Sequence, residues 1–366
     1  MKRRIMLILA IALAFSLVMG ACGGGETVTA EPASDPEPTA PSEPAAEPGD
    51  DWADTPEHTL ILTNHDTDQS LLGQYAYAWG EMVYQASKGR IEVQVNNGGG
   101  LAGPTESLDK VRGGSVDLAW GLQSFYGGQF PLSDGLSLPY LPYTSSSQAS
   151  KIAMDIWENT DLLDAEYADV KVILLRANSD APIITASKKL ETAADMGGMT
   201  VRATANPLVS WLAEFGANGQ GCPIGELFQN LAQGTFDGAL TDWHAINSFQ
   251  LYDAAQYFAD EKVQYNTYYI LMNLDAYNRL PADLQAVVDE CSGQAALDLM
   301  LTAWDEMTDI GQAASLAAGC DIYKLPDEEN QKLRDAADKI NAAWAAENGA
   351  AGQAILDAIN AGVSRF

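Results

Sequence analysis

The stretch MGGMTVRATANPLVSWLAEFGANGQGCPIGELFQNLAQGTFDGALTDW, residues 196–243, alternates between two kinds of local pattern. Its β-branched and apolar segments at 198–204 and 236–241 predict strands. Between them, apolar residues recur at helical spacing over 207–217, where a proline suits the first turn, and again over 225–234. Strands that alternate with helices in this way predict an α/β fold, with helices covering a sheet.

The same alternation extends toward the N-terminus. Short β-rich runs at 58–66, 91–97 and 116–121 predict three strands, and the segments between them, 69–89 and 105–114, predict helices. This βαβαβ beginning favours a sheet with helices on both faces.

Toward the C-terminus the pattern changes from strands to helices. Extended segments are predicted at 170–177 and 181–186, and a long apolar strand at 262–274. Helices are predicted over 244–258, 281–319, 327–348 and 351–362. We interpret this order as two α/β lobes joined by more than one strand. Lobe I is expected to comprise 57–178 with about 266–320, and lobe II 179–265 with about 321–366.

The N-terminus resembles a bacterial lipoprotein signal. Lys2, Arg3 and Arg4 precede an apolar stretch, residues 5–18, which is too short for a stable transmembrane helix, and small residues then lead to Cys22. The resemblance implies that residues 1–21 are a cleaved signal peptide and that Cys22 carries lipid outside the cytoplasm. A single uncleaved anchor is the alternative.

Residues 22–56 that follow are rich in proline and acidic residues and nearly free of large apolar ones. Such a segment cannot bury enough surface to offset its ordering entropy. It is expected to be a disordered tether.

Charge and cysteine content restrict the possible partners. The chain has 50 acidic and 20 basic side chains and a formal net charge of −30, which argues against nucleic acid and anionic lipid headgroups as partners. If Cys22 is lipidated, Cys222, Cys291 and Cys320 remain, so at most one disulfide can form. Whether Cys291 and Cys320 form it is left open.

The residues that enzymes use do not form a recognisable site. The three histidines lack the spacing of a metal motif, and no nucleophile elbow of the G-x-S-x-G type occurs. The glycine-rich segment at 97–103 lacks the lysine and spacing of a phosphate-binding loop. We therefore predict no catalytic residues, no metal site and no cofactor.

Arg202 is the most informative charged residue, because it ends an otherwise apolar predicted strand. A guanidinium in that position needs an acidic partner, and its planar fork matches a carboxylate through two parallel hydrogen bonds. The partner could be the carboxylate of a ligand. An internal acid such as Asp195 or Asp242 is the alternative.

The region around Arg202 resembles the solute-binding proteins of tripartite ATP-independent periplasmic (TRAP) transporters, the DctP-like family. The residues at matching spacing are Gly198, Arg202, Pro223, Glu226, Leu227, Leu231, Gln233, Gly234, Asp237 and Gly238. Segments 98–121 and 130–141 also look like the family. The sequence departs from the family's pattern at 180–183, where many relatives carry a second arginine, and at Ile224 and Thr241.

The resemblance implies a two-lobed α/β fold of the periplasmic-binding-protein type, similar to type II, with hinge strands and C-terminal helices. It also implies capture of an organic-acid anion between the lobes, with the ligand carboxylate on Arg202, and delivery to integral-membrane permease subunits. Candidate crossing points between the lobes are Asn178-Ser179 and Asn266-Thr267.

The position of residues at predicted strand ends suggests further ligand contacts. Phe125, Tyr126 and Trp243 could accommodate a flat or apolar part of the ligand, and Gln123, Ser124, His65 and Thr241 could bind hydroxyl or keto groups. The candidate binding residues are Arg202, Thr241, Asp242, Trp243, Gln123, Ser124, Phe125, Tyr126, His65 and Ile224.

These features favour a monocarboxylate with an apolar or aromatic part, bound by a lipid-anchored extracytoplasmic receptor for a transporter. A binding lipoprotein used in signalling and an extracytoplasmic enzyme acting on a carboxylate are the alternatives.

Overall fold

The computed structural model describes residues 52–299 and 301–366, without the side chain of Thr302. The predicted signal peptide, the lipidation site at Cys22 and most of the predicted tether lie outside these residues. No helix in the described ranges is long and apolar enough to cross a membrane.

A mixed β-sheet runs through the molecule. Its strands are β1 (His58–Thr63), β2 (Ile91–Asn96), β3 (Leu118–Leu122), β4 (Val170–Thr185), β5 (Thr200–Arg202), β6 (Asn218–Gln220), β7 (Gly238–Leu240), β8 (Tyr257–Asn273) and β9 (Asp321–Tyr323). The order across the sheet is β2-β1-β3-β8-β4-β7-β5-β6, and β9 also pairs with β8. Strand β1 is parallel to β2 and β3, and β5 is parallel to β6 and β7, whereas β8 is antiparallel to β3 and β4.

Helices connect and cover these strands. They are α1 (Leu71–Ala86), α2 (Ser107–Arg112), α3 (Ser146–Asn159), α4 (Asn206–Ala213), α5 (Ile224–Ala232), α6 (Trp243–Ser248), α7 (Leu274–Asn278), α8 (Ala282–Glu290), α9 (Gln294–Asp298), α10 (Leu301–Ala317), α11 (Asp327–Glu347) and α12 (Gly349–Arg365). Side-chain caps begin several of them. Ser70 accepts from the Gly73 amide at the start of α1, and Ser145 accepts from the Gln148 amide at the start of α3.

Strands β4 and β8 are the longest in the sheet, with 16 and 17 residues. Their antiparallel pairing shifts register at three places, between Val172 and Leu174, between Ala177 and Asp180, and between Ala181 and Ile183. At the second of these places, Asn178 and Ser179 of β4 and Asn266 of β8 therefore have no ladder partner in this pair. The two predicted crossing points lie at this irregularity.

Buried apolar residues form three clusters, one on one side of that irregularity and two on the other. The first core contains Trp79 and Trp120 together with the first half of β4 and the second half of β8. The second core is built around Trp211, and the third around Trp243 and Phe258. We call the part around the first core lobe I and the part around the other two lobe II.

The C-terminal helices do not pack solely on the lobe to which the sequence assigned them. Residues 321–366 are predicted in lobe II, but Ile355 and Ile359 of α12 are buried in the first core. Helix α11 contacts both lobes, because Leu333 lies in the second core and Trp344 in the first. The hydrophobic face of a helix does not specify which of two apolar surfaces it covers, so the prediction for α12 was wrong.

Two predicted helices also end earlier than expected. Gln250 adopts a left-handed conformation with φ 51°, so α6 stops at Ser248 and β8 already begins at Tyr257. The predicted helix over 281–319 is interrupted at Gly293, which has φ 59°. The extended segments at 170–177 and 181–186 are one strand, β4.

The disulfide left open by the sequence is not formed, since Cys222, Cys291 and Cys320 are all free. Cys291 is buried in the first core, whereas Cys320 packs in the third core with its thiol near the carbonyl oxygens of Tyr252 and Ala255.

We expect Ile359→Ala to lower the free energy of unfolding by about 2–5 kcal/mol, because it empties a fully buried site between α12 and the first core. Chemical denaturation of the purified protein measures this change. Asn360→Ala is the matched control, since Asn360 is exposed on the same helix. Equal stability of the two variants would mean that α12 does not pack on lobe I.

A half-buried carboxyl in lobe I provides a pH-dependent contribution to stability. Asp134 lies in a short 3₁₀ helix, and burial together with the nearby Glu166 raises its pKa to about 7. Glu166 accepts hydrogen bonds from the amide and hydroxyl of Ser133, and burial raises its pKa as well. The folded state therefore prefers Asp134 protonated.

Because the pKa of Asp134 is higher in the folded than in the unfolded chain, its contribution to stability is complete below about pH 4 and is lost as the pH rises through about 7. We expect the melting temperature to fall between pH 5 and pH 8, and Asp134→Asn to make this fall shallower. Thermal melts of both proteins across this range provide the measurement. Parallel curves for the two proteins would contradict the assignment.

Candidate ligand-binding cavity

A cavity lies where the ends of several strands from both lobes meet, beside the irregular centre of β4 and β8. The space between its lining atoms is about 560 Å³, including the part that opens to solvent. Its lining residues are His65, Asp66, Leu72, Leu122, Phe125, Asn178, Ala181, Arg202, Thr204, Ile224, Leu240, Thr241, Asp242, His244, Ala245, Phe249, Gln264, Asn266 and Tyr268. Polar and apolar groups therefore share one enclosed surface, which is typical of small-molecule sites.

Arg202 places a buried positive charge in this cavity. It is the last residue of β5 and is 5% exposed, and its Nε donates to the Cys222 carbonyl oxygen at 3.2 Å. Among the described residues, no carboxylate lies within 4.0 Å of its guanidinium, and its two terminal nitrogens make no hydrogen bond. Burial lowers the pKa of Arg202, but a guanidinium remains charged in proteins.

The two internal acids considered as partners of Arg202 have other roles. Asp195 accepts from the backbone and hydroxyl of Thr192 and pairs with Lys188. Asp242 caps α6, where its Oδ1 accepts from the Ala245 amide at 3.0 Å. The donors of Arg202 are consequently available to a ligand.

Helix α6 is attached to the crossing point of β4 through Ser179. The Ser179 hydroxyl accepts from the His244 amide at 3.0 Å and donates to Asp242 Oδ1 at 3.4 Å. Ser179 is fully buried. These bonds connect the strand between the lobes to a helix whose first turn lines the cavity.

Asp66, with two histidines beside it, forms a second charged group in the cavity. Its carboxylate oxygens lie 3.7 Å from His65 Nε2 and 3.9 Å from His244 Nε2. Burial opposes ionisation of Asp66, but His244, His65 and Arg176 outweigh this effect and hold its pKa below the usual range. Burial lowers the pKa of His65, which favours its neutral form.

Arg176 lies one layer behind the cavity. Its guanidinium carbon is 3.5 Å from the ring centre of Trp304 and also stacks on Trp120 and Tyr268. Nη1 donates to the Ala177 carbonyl oxygen at 2.9 Å and to Asn178 Oδ1 at 3.1 Å. Burial lowers the pKa of Arg176 to about 10, so it remains charged at neutral pH.

Sequence reasoning did not assign Arg176, Asp66 or His244 to the site. Asp66 could have been noticed, because it follows β1 in a polar turn at a strand end. The sequence around Arg176 contains no comparable signal, since the aromatic rings that enclose its guanidinium come from distant elements.

Six of the predicted binding residues line the cavity. They are Arg202, Thr241, Asp242, Phe125, His65 and Ile224.

The other four predicted binding residues do not line the cavity, which corrects the sequence-based expectation for them. Gln123 donates to the Tyr167 hydroxyl, and the Tyr126 hydroxyl accepts from the Leu108 amide, so both serve the first core. Ser124 also lies outside the cavity.

A short 3₁₀ helix, Gln123–Phe125, follows β3 and turns successive side chains in different directions, so that only Phe125 of this segment reaches the cavity. The fourth residue, Trp243, has no exposed surface and stacks on Phe258 in the third core.

No group of three or more histidine, cysteine, aspartate or glutamate side chains suited to a metal ion occurs within residues 52–299 and 301–366.

Comparisons with known proteins identify relatives along most of the chain. Residues 63–348 match the family model DctP, described as bacterial extracellular solute-binding protein, family 7. The ectoine/5-hydroxyectoine-binding periplasmic protein of Ruegeria pomeroyi is 23% identical over 293 residues, which cover 79% of this chain and 86% of that protein.

Solved structures show the same fold. A TRAP solute-binding protein from Rhodoferax ferrireducens, in complex with copurified benzoate, has a TM-score of 0.77 at 25% identity and covers 84% of this chain and 98% of its own. A marine metagenome TRAP solute-binding protein specific for aromatic acid ligands has a TM-score of 0.78 at 24% identity, with 84% and 99% coverage.

The predicted two-lobed α/β fold and the predicted absence of enzymatic activity are thereby confirmed. The chain belongs to family 7 of the bacterial extracellular solute-binding proteins, the DctP family, whose members bind solutes for transport.

Proposed function

We propose that this protein captures an organic carboxylate in the cavity at Arg202 and delivers it to the membrane subunits of a TRAP transporter. The observation that carries the proposal is a buried guanidinium with free donors on the cavity wall. A carboxylate can accept two parallel hydrogen bonds from it, which combines charge pairing with a defined orientation.

The remaining cavity wall supports a ligand with an apolar body. Phe125, Phe249 and Tyr268 contribute aromatic surface, and Leu122 and Leu240 contribute aliphatic surface. Thr241, Asn178 and Asn266 add neutral polar groups that can bind hydroxyl or keto oxygens. The benzoate complex of the Rhodoferax relative agrees with this combination.

Opening and closing of the cavity would take place at the irregular centre of β4 and β8. Asn178 and Ser179 lie outside the regular ladder there, so a change in their dihedral angles would disrupt few backbone hydrogen bonds. Since both strands continue into each lobe, such a change would move one lobe against the other around the ligand.

We expect Arg202→Gln to raise the dissociation constant of a bound carboxylate by at least roughly 30-fold, because breaking a buried charge pair costs about 2–5 kcal/mol. Thermal-shift titrations with benzoate, 3-hydroxybenzoate, mandelate and glucuronate, followed by calorimetry on each ligand that binds, measure this change. Arg279→Gln is the control, because Arg279 is largely exposed and pairs with Asp117 away from the cavity. Unchanged affinity in the Arg202 variant would remove Arg202 from the site.

We further propose that Cys22 carries lipid and holds the protein at the outer side of the cell membrane. The support is the basic, apolar and small-residue sequence that ends at Cys22, together with the acidic proline-rich segment after it. That segment would act as the tether between the lipid and the folded part.

Cells that express the full-length chain should yield protein that partitions into the detergent phase, whereas Cys22→Ser should move it to the aqueous phase, because a covalent acyl chain adds apolar surface. Phase partitioning and intact-mass measurement test this expectation. Cys222→Ser controls for loss of a thiol. A mass without added lipid would contradict the proposal.

A further inference from the structure

Two charged side chains on the cavity wall lack complete partners, and they carry opposite charges. Arg202 has free terminal nitrogens. Asp66 is 3% exposed, and the basic nitrogens nearest its carboxylate oxygens, His65 Nε2 at 3.7 Å and His244 Nε2 at 3.9 Å, lie beyond normal hydrogen-bond distance. An ionised carboxylate in an enclosed site is costly unless a donor satisfies it.

Two other charged residues, Asp242 and Arg176, differ from this pair. Asp242 accepts from the Ala245 amide and the Ser179 hydroxyl. Arg176 does not line the cavity; its Nη1 donates to Ala177 and Asn178, whereas its buried Nε and Nη2 have no hydrogen-bond partner and three aromatic rings lie against the guanidinium. Among the described arginine and aspartate side chains that line the cavity, those with free hydrogen-bonding capacity are therefore one cation, Arg202, and one anion, Asp66.

Apart from His244, which lies 3.9 Å from Asp66, the arginine and aspartate charges around the cavity balance before a ligand enters. Arg176 and Arg202 contribute two positive charges, and Asp66 and Asp242 contribute two negative ones. A simple monoanion would leave these side chains with one excess negative charge among buried groups, where like charges repel more strongly than in water. Burial favours the neutral form of the neighbouring His65, so this ring does not readily supply the missing positive charge.

We propose that the ligand is a zwitterion, whose carboxylate pairs with Arg202 and whose protonated nitrogen donates to Asp66. This inference rests on the proposed function, in which Arg202 binds a carboxylate, and specifies the second half of the ligand. A zwitterion satisfies both side chains and adds no net charge to the cavity. The aromatic surface of Phe125, Phe249 and Tyr268 then contacts the carbon skeleton between or beside the two charged groups.

The test compares acids that differ only in a protonated nitrogen. The full-length protein is titrated with proline against cyclopentanecarboxylate, phenylalanine against 3-phenylpropanoate, and 3-(aminomethyl)benzoate against 3-methylbenzoate. In each pair that binds, we expect the zwitterion to have a dissociation constant lower by about tenfold or more, since hydrogen bonds to charged groups are the stronger kind.

Asp66→Asn then tests the residue assigned to the nitrogen. We expect this variant to lose the preference for the zwitterion while it still binds the simple acid through Arg202. Asp134→Asn is the matched control, because it makes the same change at a half-buried carboxyl that does not line the cavity, and it should keep the wild-type preference. A preference that persists in Asp66→Asn would overturn the role of Asp66.

The wild-type comparison decides the inference even if Asp66→Asn does not fold. A simple acid that binds as tightly as its zwitterionic partner, or more tightly, would overturn the inference and leave the proposed function intact. If no carboxylate of either kind raises the melting temperature, the proposed function itself fails, and the inference with it.

Discussion

The antiparallel pairing of β4 and β8 is the constraint on which the rest of the structure depends. Both strands pass from one hydrophobic core to the others, so each lobe is built on one half of the same strand pair. A register shift at Asn178 and Ser179 interrupts the ladder where the lobes meet. The cavity lies beside this interruption, because there side chains and backbone groups are free of ladder partners and strand ends from both lobes converge.

Local electrostatics at the cavity differ from those of the whole chain. The net charge of −30 describes a solvated exterior, where screening makes individual charges nearly independent. At the cavity, two buried guanidinium groups are stabilised by different means, Arg176 by aromatic rings and carbonyl groups and Arg202 by a single carbonyl oxygen. Arg202 can therefore bind an anion. Arg176 does not line the cavity but donates a hydrogen bond to Asn178, which does.

The sequence-based predictions were most accurate where the structure depends on neighbouring residues in the chain. The strand that ends at Arg202 and the helix that begins beside Pro207 follow from periodicity and from proline's fixed φ, and both are present as β5 and α4. The predictions failed where side-chain direction or packing partner matters. Gln123, Ser124 and Tyr126 were predicted at the cavity because they follow a strand end, but a 3₁₀ turn directs them elsewhere. Trp243 was predicted at the cavity because it also follows a predicted strand end, yet its ring packs on Phe258.

The sequence by itself determined the α/β class, the family, the strand that carries Arg202 and the demand of that guanidinium for an acidic partner. These properties depend on periodicity, on residue spacing and on the chemistry of single side chains. Only the tertiary structure decided that Asp66, His65 and His244 lie together, that Arg176 is enclosed by distant aromatic rings, and that α12 joins the first core. The physical reason is that burial and partner distance arise from long-range packing, and these set the pKa and the free hydrogen-bonding capacity of each charged group.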